Sequence, residues 1–248
     1  MDREAVRRIL GACEAALEAE GPVDLHRLGF WRAVEAVKRH PDWLDEFARR
    51  IASIDRRAFQ RQVWIRLPLT PGLSLLAAGA GVGAGLVVGA FGVPAPARGV
   101  LLLAGAGALL ATTHDLAHYL VGRAVGIGFT DLYVLKPLRP QPGIKVDYES
   151  YLRAPPMARA WMHASGALVT KLIPFLVIPV ALAARAPRWT VAVLLALGVV
   201  QILTDLLLST RSSDWKRVRR ELRHARRQAR RPERRDARHR ARRPEHRP

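Results

Sequence analysis

Residues 99–122 have the sequence GVLLLAGAGALLATTHDLAHYLVG, an apolar run with two histidines and one carboxylate near its end. As a helix rising about 1.5 Å per residue, this run is long enough to cross about 30 Å of hydrocarbon. An aspartate in the middle of a bilayer helix costs about 2.5–3.5 kcal/mol on insertion scales. The acid therefore needs a partner that offsets this cost, and a bound cation is the simplest candidate.

The two histidines have the spacing of metal ligands. His114 and His118 are four residues apart, so on a helix both rings leave the same face, one turn above the other. This spacing suits two imidazole ligands of a tetrahedral ion, and Asp115 lies beside them as a candidate base. The alternative is that these side chains only form hydrogen bonds between membrane helices.

Composition indicates a membrane protein with charged flanks. The chain has 248 residues, of which 50% are hydrophobic, yet its formal net charge is +19. An ordinary globular protein does not combine these values, but a chain with its charge segregated outside apolar spans does. Cys13 is the only cysteine, which excludes an intrachain disulfide and a cysteine-based metal site. The charged N-terminus lacks a signal-peptide core.

Three further apolar runs accompany the first, so the sequence predicts an all-α membrane protein with about four transmembrane helices. The expected spans are residues 72–93, 99–122, 160–184 and 189–210. Glycines 81, 85 and 89 recur at four-residue spacing, which predicts close approach of another helix. The expected parts are a helical region (1–66), a transmembrane domain (67–210) and an Arg-rich tail (211–248).

The segments outside the spans have simpler patterns. Residues 1–66 predict three short amphipathic helices: the first ends at Gly21-Pro22, Asp24 caps the second, and Pro41 opens the third. The 123–158 loop predicts a β-hairpin of residues 131–136 and 143–148 with a proline-rich turn. This hairpin is either a plain connection or an edge that holds an extended peptide.

Loop charge predicts the orientation. The tail is dominated by arginine, whereas the loops around Arg98 and residues 185–188 carry few charges. By the positive-inside rule, both termini and the 123–158 loop are cytoplasmic in a multi-pass cell-membrane protein. We expect the tail to attract anionic lipid headgroups, at about 1 kcal/mol per basic residue near the surface. Nucleic-acid binding is possible on charge alone but is not expected, because no fold signature supports it.

Depth in the membrane suggests a third ligand. With Arg123 as the inner end of the second span, the two histidines lie roughly 7.5 and 13.5 Å inside it. Asp205 lies roughly 9 Å inside Arg211 on the fourth span, so its depth matches. Asp214 lies beyond Arg211 and is the second choice.

Other polar residues within the spans leave alternatives open. Asp205 either binds the metal or forms a buried pair with Lys171 or His163. His163 lies at a similar depth and is a candidate fourth neighbour or a partner of a ligand. Lys171, near the middle of its span, is expected to be paired or to face a polar cavity.

These residues resemble a known family. His114-Asp-Leu-Ala-His118, followed by Gly126-Ile127, resembles the HExxH helix of site-2 protease-type intramembrane zinc metalloproteases. Residues 164–170 are similar to that family's small-residue motif, with Thr170 where an asparagine is common. Asp205 or Asp214 would correspond to the family's third, aspartate ligand.

The resemblance implies an enzyme. It implies Zn²⁺ held by two histidines and an aspartate, Asp115 at the general-base position, and zinc-activated water that hydrolyses peptide bonds of membrane-associated substrates. The chain departs from the family in having an aspartate in place of the usual glutamate, and it lacks the Asn-Pro-Asp-Gly or Leu-Asp-Gly pattern. The alternative is a non-catalytic membrane scaffold or a metal- or haem-binding protein.

Overall fold

A computed structural model describes residues 1–19, 21, 23–136, 139–207 and 213–241. The helices are α1 (Arg3–Glu18), α2 (Phe30–Arg39), α3 (Leu44–Gln62), α4 (Leu69–Gly89), α5 (Ala95–Ala124), α6 (Tyr148–Arg153), α7 (Pro156–Ala183), α8 (Arg188–Leu207) and α9 (Asp214–Ala241), with 3₁₀ turns at Pro41–Trp43 and Ala90–Gly92. The strands are β1 (Ile65–Pro68), β2 (Phe129–Lys136) and β3 (Arg139–Val146).

The N-terminal helices α1–α3 pack around one apolar core. Asp2 caps α1 by accepting a hydrogen bond from the amide of Ala5 at 2.8 Å. Asp24 does not cap the second helix as expected. Its carboxylate accepts from the amide of His26 within a turn, and α2 begins only at Phe30, after Gly29 with φ of 82°. Three helices are present, but the second is shorter than predicted.

Four helices are long and apolar enough to cross a membrane, which indicates a multi-pass membrane protein. They are Leu69–Gly92, Ala95–Ala124, Pro156–Ala183 and Arg188–Leu207. The predicted end of the fourth span, residues 208–210, lies outside the described residues. About 20 residues suffice for a span, whereas α5 has 30 and α7 has 28. Both helices are therefore longer than a single span requires, and His114 and His118 lie toward the C-terminal end of α5.

The close helix contact in this bundle uses a different glycine face from the one predicted. A Cβ atom on Gly83 would lie 3.0 Å from the carbonyl oxygen of Gly105, so α4 and α5 touch backbone to backbone there. Cβ atoms on Gly81 and Gly85 would meet no described atom within 4 Å. The prediction was wrong for Gly81 and Gly85, because the backbone contact runs through the adjacent face of α4. Gly89 does face α5, since a Cβ atom there would lie 3.6 Å from Cδ2 of Leu101.

The predicted hairpin is part of a three-stranded antiparallel sheet. Strand β2 pairs with β3, and β1 adds to the other edge of β2, with Ile65 opposite Val134. The second strand of the hairpin ends at Val146, because Asp147 caps the short helix α6 through the amide of Ser150. The proline-rich turn was predicted between residues 136 and 143, but β3 already begins at Arg139, and residues 137–138 lie outside the described residues.

Part of the Arg-rich tail is helical and packs against the apolar helices. Residues 214–241 form α9, and Val218 of this helix packs against Ala160 and Ala164 of α7. Residues 211–212 and 242–248 of the predicted tail lie outside the described residues. The first turns of α9 are therefore held against the bundle, at the end where α5 carries its histidines.

Candidate metal centre

The two histidines of α5 face each other through their Nε2 atoms, which are free to bind a metal ion. The Nε2 atoms of His114 and His118 are 3.2 Å apart, and the ring centroids are 4.6 Å apart. This follows from the helical spacing of four residues, which stacks the side chains one turn apart on the face turned to α7. Two ring nitrogens at this distance need a proton or a cation between them.

Hydrogen bonds fix the ring of His118. Its Nδ1 lies 2.6 Å from the carbonyl oxygen of Met162 on α7. A carbonyl only accepts hydrogen bonds, so Nδ1 of His118 carries a proton and donates it. In the neutral ring the lone pair is therefore on Nε2, the atom that faces His114.

Hydrogen bonds also fix the ring of His114, with its proton on Nδ1. The hydroxyl of Thr170 donates to the carbonyl oxygen of Gly166 at 2.7 Å, which uses its single proton. The contact of 2.9 Å between Thr170 Oγ1 and His114 Nδ1 must then have the histidine as donor. Nε2 of His114 is left with its lone pair, as in His118.

Asp214 brings a carboxylate to the same point. Its Oδ2 atom lies 3.5 Å from Nε2 of His114 and 3.4 Å from Nε2 of His118. Without a metal, burial alone would raise the pKa of the Asp214 carboxyl, but a hydrogen bond from the protonated His118 ring and the positive charges of His118 and Arg217 lower this pKa. A bound cation would take the place of that proton on Nε2 of His118. Asp214 therefore contributes an oxygen anion to the pair of imidazoles.

The three atoms have the spacing of ligands around one ion. Their separations are 3.2, 3.4 and 3.5 Å. A tetrahedral ion with bonds of about 2.0–2.1 Å places its ligand atoms about 3.3 Å apart. His114, His118 and Asp214 can thus hold a metal ion without moving apart. The side chain of His114 is 30% exposed, against 9% for His118, so the group is most open on the His114 side.

Gly166 lets α7 approach the centre closely. A Cβ atom at this position would contact Nε2 of His118 and lie 2.7 Å from its Cε1. The His118 ring occupies the space that any other residue would fill. A glycine in the predicted small-residue motif is thus explained by the packing of the candidate ligand itself.

Replacing Gly166 by alanine is expected to lower metal affinity about 10–100-fold, the range seen when support of a metal ligand is lost. The added methyl group displaces Nε2 of His118 from the other two atoms. Gly107→Ala is the control, because a Cβ atom there meets no described atom within 4 Å. Metal affinity is measured by competition with a chelator. Equal affinity for both variants would show that the His118 ring does not bind the metal where the structure places it.

Asp205, the preferred third ligand, is not in this group. Its carboxylate pairs with Lys171 of α7, which was the stated alternative. The depth match took Arg211 as the end of a continuous fourth span, whereas the acid of the group, Asp214, is the first residue of α9. Residues 208–212 lie outside the described residues. Helix α9 packs back on α7, so the second choice, Asp214, reaches the histidines.

His163 and Lys171 have partners that fit their buried positions. Nδ1 of His163 lies 3.9 Å from Oδ1 of Asp214, the oxygen turned away from the metal-binding group, and its Nε2 lies 2.9 Å from the hydroxyl of Tyr151. His163 is therefore a neighbour of the acid, as one of its predicted roles allowed. The pair of Lys171 with Asp205 neutralises both charges within the apolar helices.

Asp115 is buried next to the centre, with 5% of its surface exposed. It stands three residues before His118, on a neighbouring part of the same helix face, and interacts electrostatically with both His118 and Asp214. It is not one of the three atoms that converge. This placement leaves it available for a role other than that of ligand.

Sequence reasoning missed a buried acid behind the centre. Glu221 on α9 is fully buried and contacts Lys38, Tyr151 and Arg159. One signal for it was present: Glu221 is the only acidic residue between Asp214 and Glu233, in a segment crowded with arginine. A single acid among so many cations indicates a specific partner.

Comparisons with protein-family models, with curated proteins and with solved structures found no match to this chain.

Proposed function

We propose that this protein is a membrane-embedded zinc metallopeptidase that hydrolyses peptide bonds of membrane-associated substrates. The observation that carries the proposal is the convergence of two imidazole lone pairs and a carboxylate oxygen at the separations of a tetrahedral site. The two-nitrogen, one-oxygen donor set leaves a fourth position for water, which is the pattern of catalytic rather than structural zinc. The resemblance of residues 114–118 to the HExxH helix of site-2 protease-type enzymes supports the same function.

The residues around the centre have distinct roles. A bound zinc ion supplies Lewis acidity, which activates water near neutral pH and polarises a carbonyl group. Met162 and Thr170 hold the two histidines in the tautomer that leaves Nε2 free. Asp115 accepts the proton of the attacking water and delivers it to the leaving amine.

The position of the centre fits a substrate that lies in or at the membrane. His114 is close to the point where α5, counted from Ala95, has already crossed about 30 Å. Water therefore reaches the group from the aqueous side, through the exposed edge of His114. A substrate helix must partly unwind there to present its peptide bonds.

The proposal also includes the orientation of the protein in the membrane and the contact of its tail with lipid headgroups. By the positive-inside rule both termini are cytoplasmic in the cell membrane, and the centre opens to the cytoplasm. The positive charge of the Arg-rich tail attracts anionic lipid headgroups, which hold this part of the chain near the membrane surface. The charge of the chain, +19, favours this arrangement over binding of an electrically neutral surface.

Removal of zinc is expected to abolish cleavage, and its return to restore it. The purified protein in detergent is incubated with a candidate membrane peptide before and after treatment with a chelator, beside His114→Ala. The expected result is cleavage by the zinc-loaded wild type alone, because the variant lacks one of the three ligands. Full cleavage by His114→Ala would overturn the proposed mechanism.

A non-catalytic metal site is the second candidate. The third ligand, Asp214, is the first residue of α9, so a metal bound there would pin this helix to α5. Such a site would bind zinc and hold the helix without hydrolysing any peptide. Wild type that binds zinc and cleaves no membrane substrate would favour this function.

A further inference from the structure

A buried cluster of polar and charged side chains joins four helices, α2, α6, α7 and α9, near the candidate centre. The Nζ atom of Lys38 on α2 lies 2.6 Å from Oε1 of Glu221, and Nε of Arg159 on α7 lies 2.7 Å from Oε2. The hydroxyl of Tyr151 on α6 donates to Oε1 of Glu221 at 3.1 Å. We refer to Lys38, Tyr151, Arg159 and Glu221 as the Glu221 cluster.

The cluster holds its charges despite burial. Glu221 is fully buried and Lys38 is 6% exposed. Burial alone would raise the pKa of the Glu221 carboxyl, but the charges of Lys38 and Arg159 outweigh it and lower this pKa to about 2. Removal of one partner from such a group leaves an uncompensated buried charge, which is costly. The arrangement of α2, α7 and α9 is therefore tightly specified at this point.

Glu221 and the third candidate ligand lie on one face of α9. They are seven residues apart, close to two helical turns, which places them about 10.5 Å apart along the helix axis. Val218 lies between them and packs against α7. A helix is stiff over two turns, so the position of Glu221 sets that of Asp214.

Few apolar contacts hold α9 in place. Among its described side chains, Val218 is buried in the cluster with Ala160 and Ala164, with Trp215 and Leu222 packed at its edge. The remainder is mostly arginine, which favours water. The polar contacts of Glu221, and the contact of 3.0 Å between His224 Nε2 and Oε1 of Glu35 on α2, therefore carry much of the docking.

We infer that Glu221 is a positioning residue of the metal centre, and that Lys38 makes the N-terminal helical region part of the site. The cluster holds α9 so that Asp214 faces His114 and His118. This inference rests on the proposed metal-binding function. It assigns residues 1–66 a role in assembling the site, beyond that of a separate appendage.

The test is the metal affinity of the full-length protein, measured with cobalt in competition with a chelator. Glu221→Gln is expected to lower the affinity about 10–100-fold, because Asp214 is no longer held in place. Asp214→Ala lowers it as well, and the double variant is expected to match Asp214→Ala alone. Glu14→Gln is the control, since Glu14 pairs with Arg50 within the N-terminal region.

A second variant keeps the test valid if Glu221→Gln does not fold. Lys38→Met leaves α9 unchanged and is expected to lower cobalt affinity in the same direction. The visible spectrum of the cobalt-loaded protein reports on the ligands directly. At saturating cobalt, Glu221→Gln and Lys38→Met are expected to have altered spectra, whereas Glu14→Gln keeps that of the wild type.

Two results would overturn the inference while the metal site stands. One is an unchanged affinity and spectrum in both Glu221→Gln and Lys38→Met. The other is a further loss of affinity when Glu221→Gln is added to Asp214→Ala, which would show that Glu221 does not act through Asp214. A wild type that binds no cobalt and no zinc would instead overturn the proposed function, and the inference with it.

Discussion

Replacement of Asp115 by asparagine is expected to abolish cleavage of a membrane peptide and to leave the zinc content of the protein unchanged. Asp115 is buried beside the centre but is not among the three converging atoms. A positioned general base contributes about 10²–10⁴-fold to the rate of such a reaction. The asparagine amide has a similar shape and cannot take up the proton of water.

The measurement is the rate of cleavage per bound zinc ion. Asp115→Glu is the matched variant, because it keeps the carboxylate and restores the length usual in HExxH helices. We expect it to retain or exceed the activity of the wild type. Cleavage by Asp115→Asn at the wild-type rate would remove Asp115 from the mechanism and leave only the metal-binding role of this helix.

The membrane helices could be predicted from the sequence because the signal is local. Apolar runs without charge give spans by length alone, and the four predicted spans match the four apolar helices of the structure. The facing of His114 and His118 also follows from one helix, since residues four apart share a face. Strand β1 was missed because its four residues, Ile65–Pro68, lead directly into the first span.

The third candidate ligand, Asp214, depends on tertiary structure, and the preferred prediction of Asp205 in its place was wrong. The depth argument compared Asp205 with the histidines as if the fourth span ran straight to Arg211. In the part of the chain that the structure describes, the next helix, α9, begins at Asp214 and packs against α7. Nothing in the arginine-rich sequence of this segment indicates that it packs back against α7. The ion pair between Lys171 and Asp205 was foreseen only as an alternative.

The Glu221 cluster could not be predicted from the sequence either. Lys38 and Glu221 are in hydrogen-bond contact although 183 residues separate them. Neither residue has a spacing or a neighbour that indicates the other, because the contact arises only when the N-terminal helices and α9 meet on α7. Long-range pairs of this kind require the folded structure.

Removal of the Asp214 carboxylate is expected to lower zinc affinity sharply, whereas removal of the Asp205 carboxylate is not. Loss of the Asp214 carboxylate removes the only oxygen in the group of His114, His118 and Asp214. Loss of the Asp205 carboxylate breaks the pair with Lys171 and leaves that group intact. Zinc affinity should therefore depend on Asp214 and be nearly indifferent to Asp205, apart from any effect on the stability of the fold.

X-ray absorption spectroscopy at the zinc edge, applied to cysteine variants, tests most directly whether Asp214 is the third ligand. In Asp214→Cys a sulfur atom replaces the carboxylate oxygen, and the account predicts a zinc–sulfur distance of about 2.3 Å in place of a zinc–oxygen bond of about 2.0–2.2 Å. The single native cysteine, Cys13, is buried in the N-terminal core and provides the baseline. Asp205→Cys is expected to leave the spectrum of the wild type unchanged. A sulfur ligand in Asp205→Cys, or its absence in a zinc-loaded Asp214→Cys, would contradict the metal centre described above.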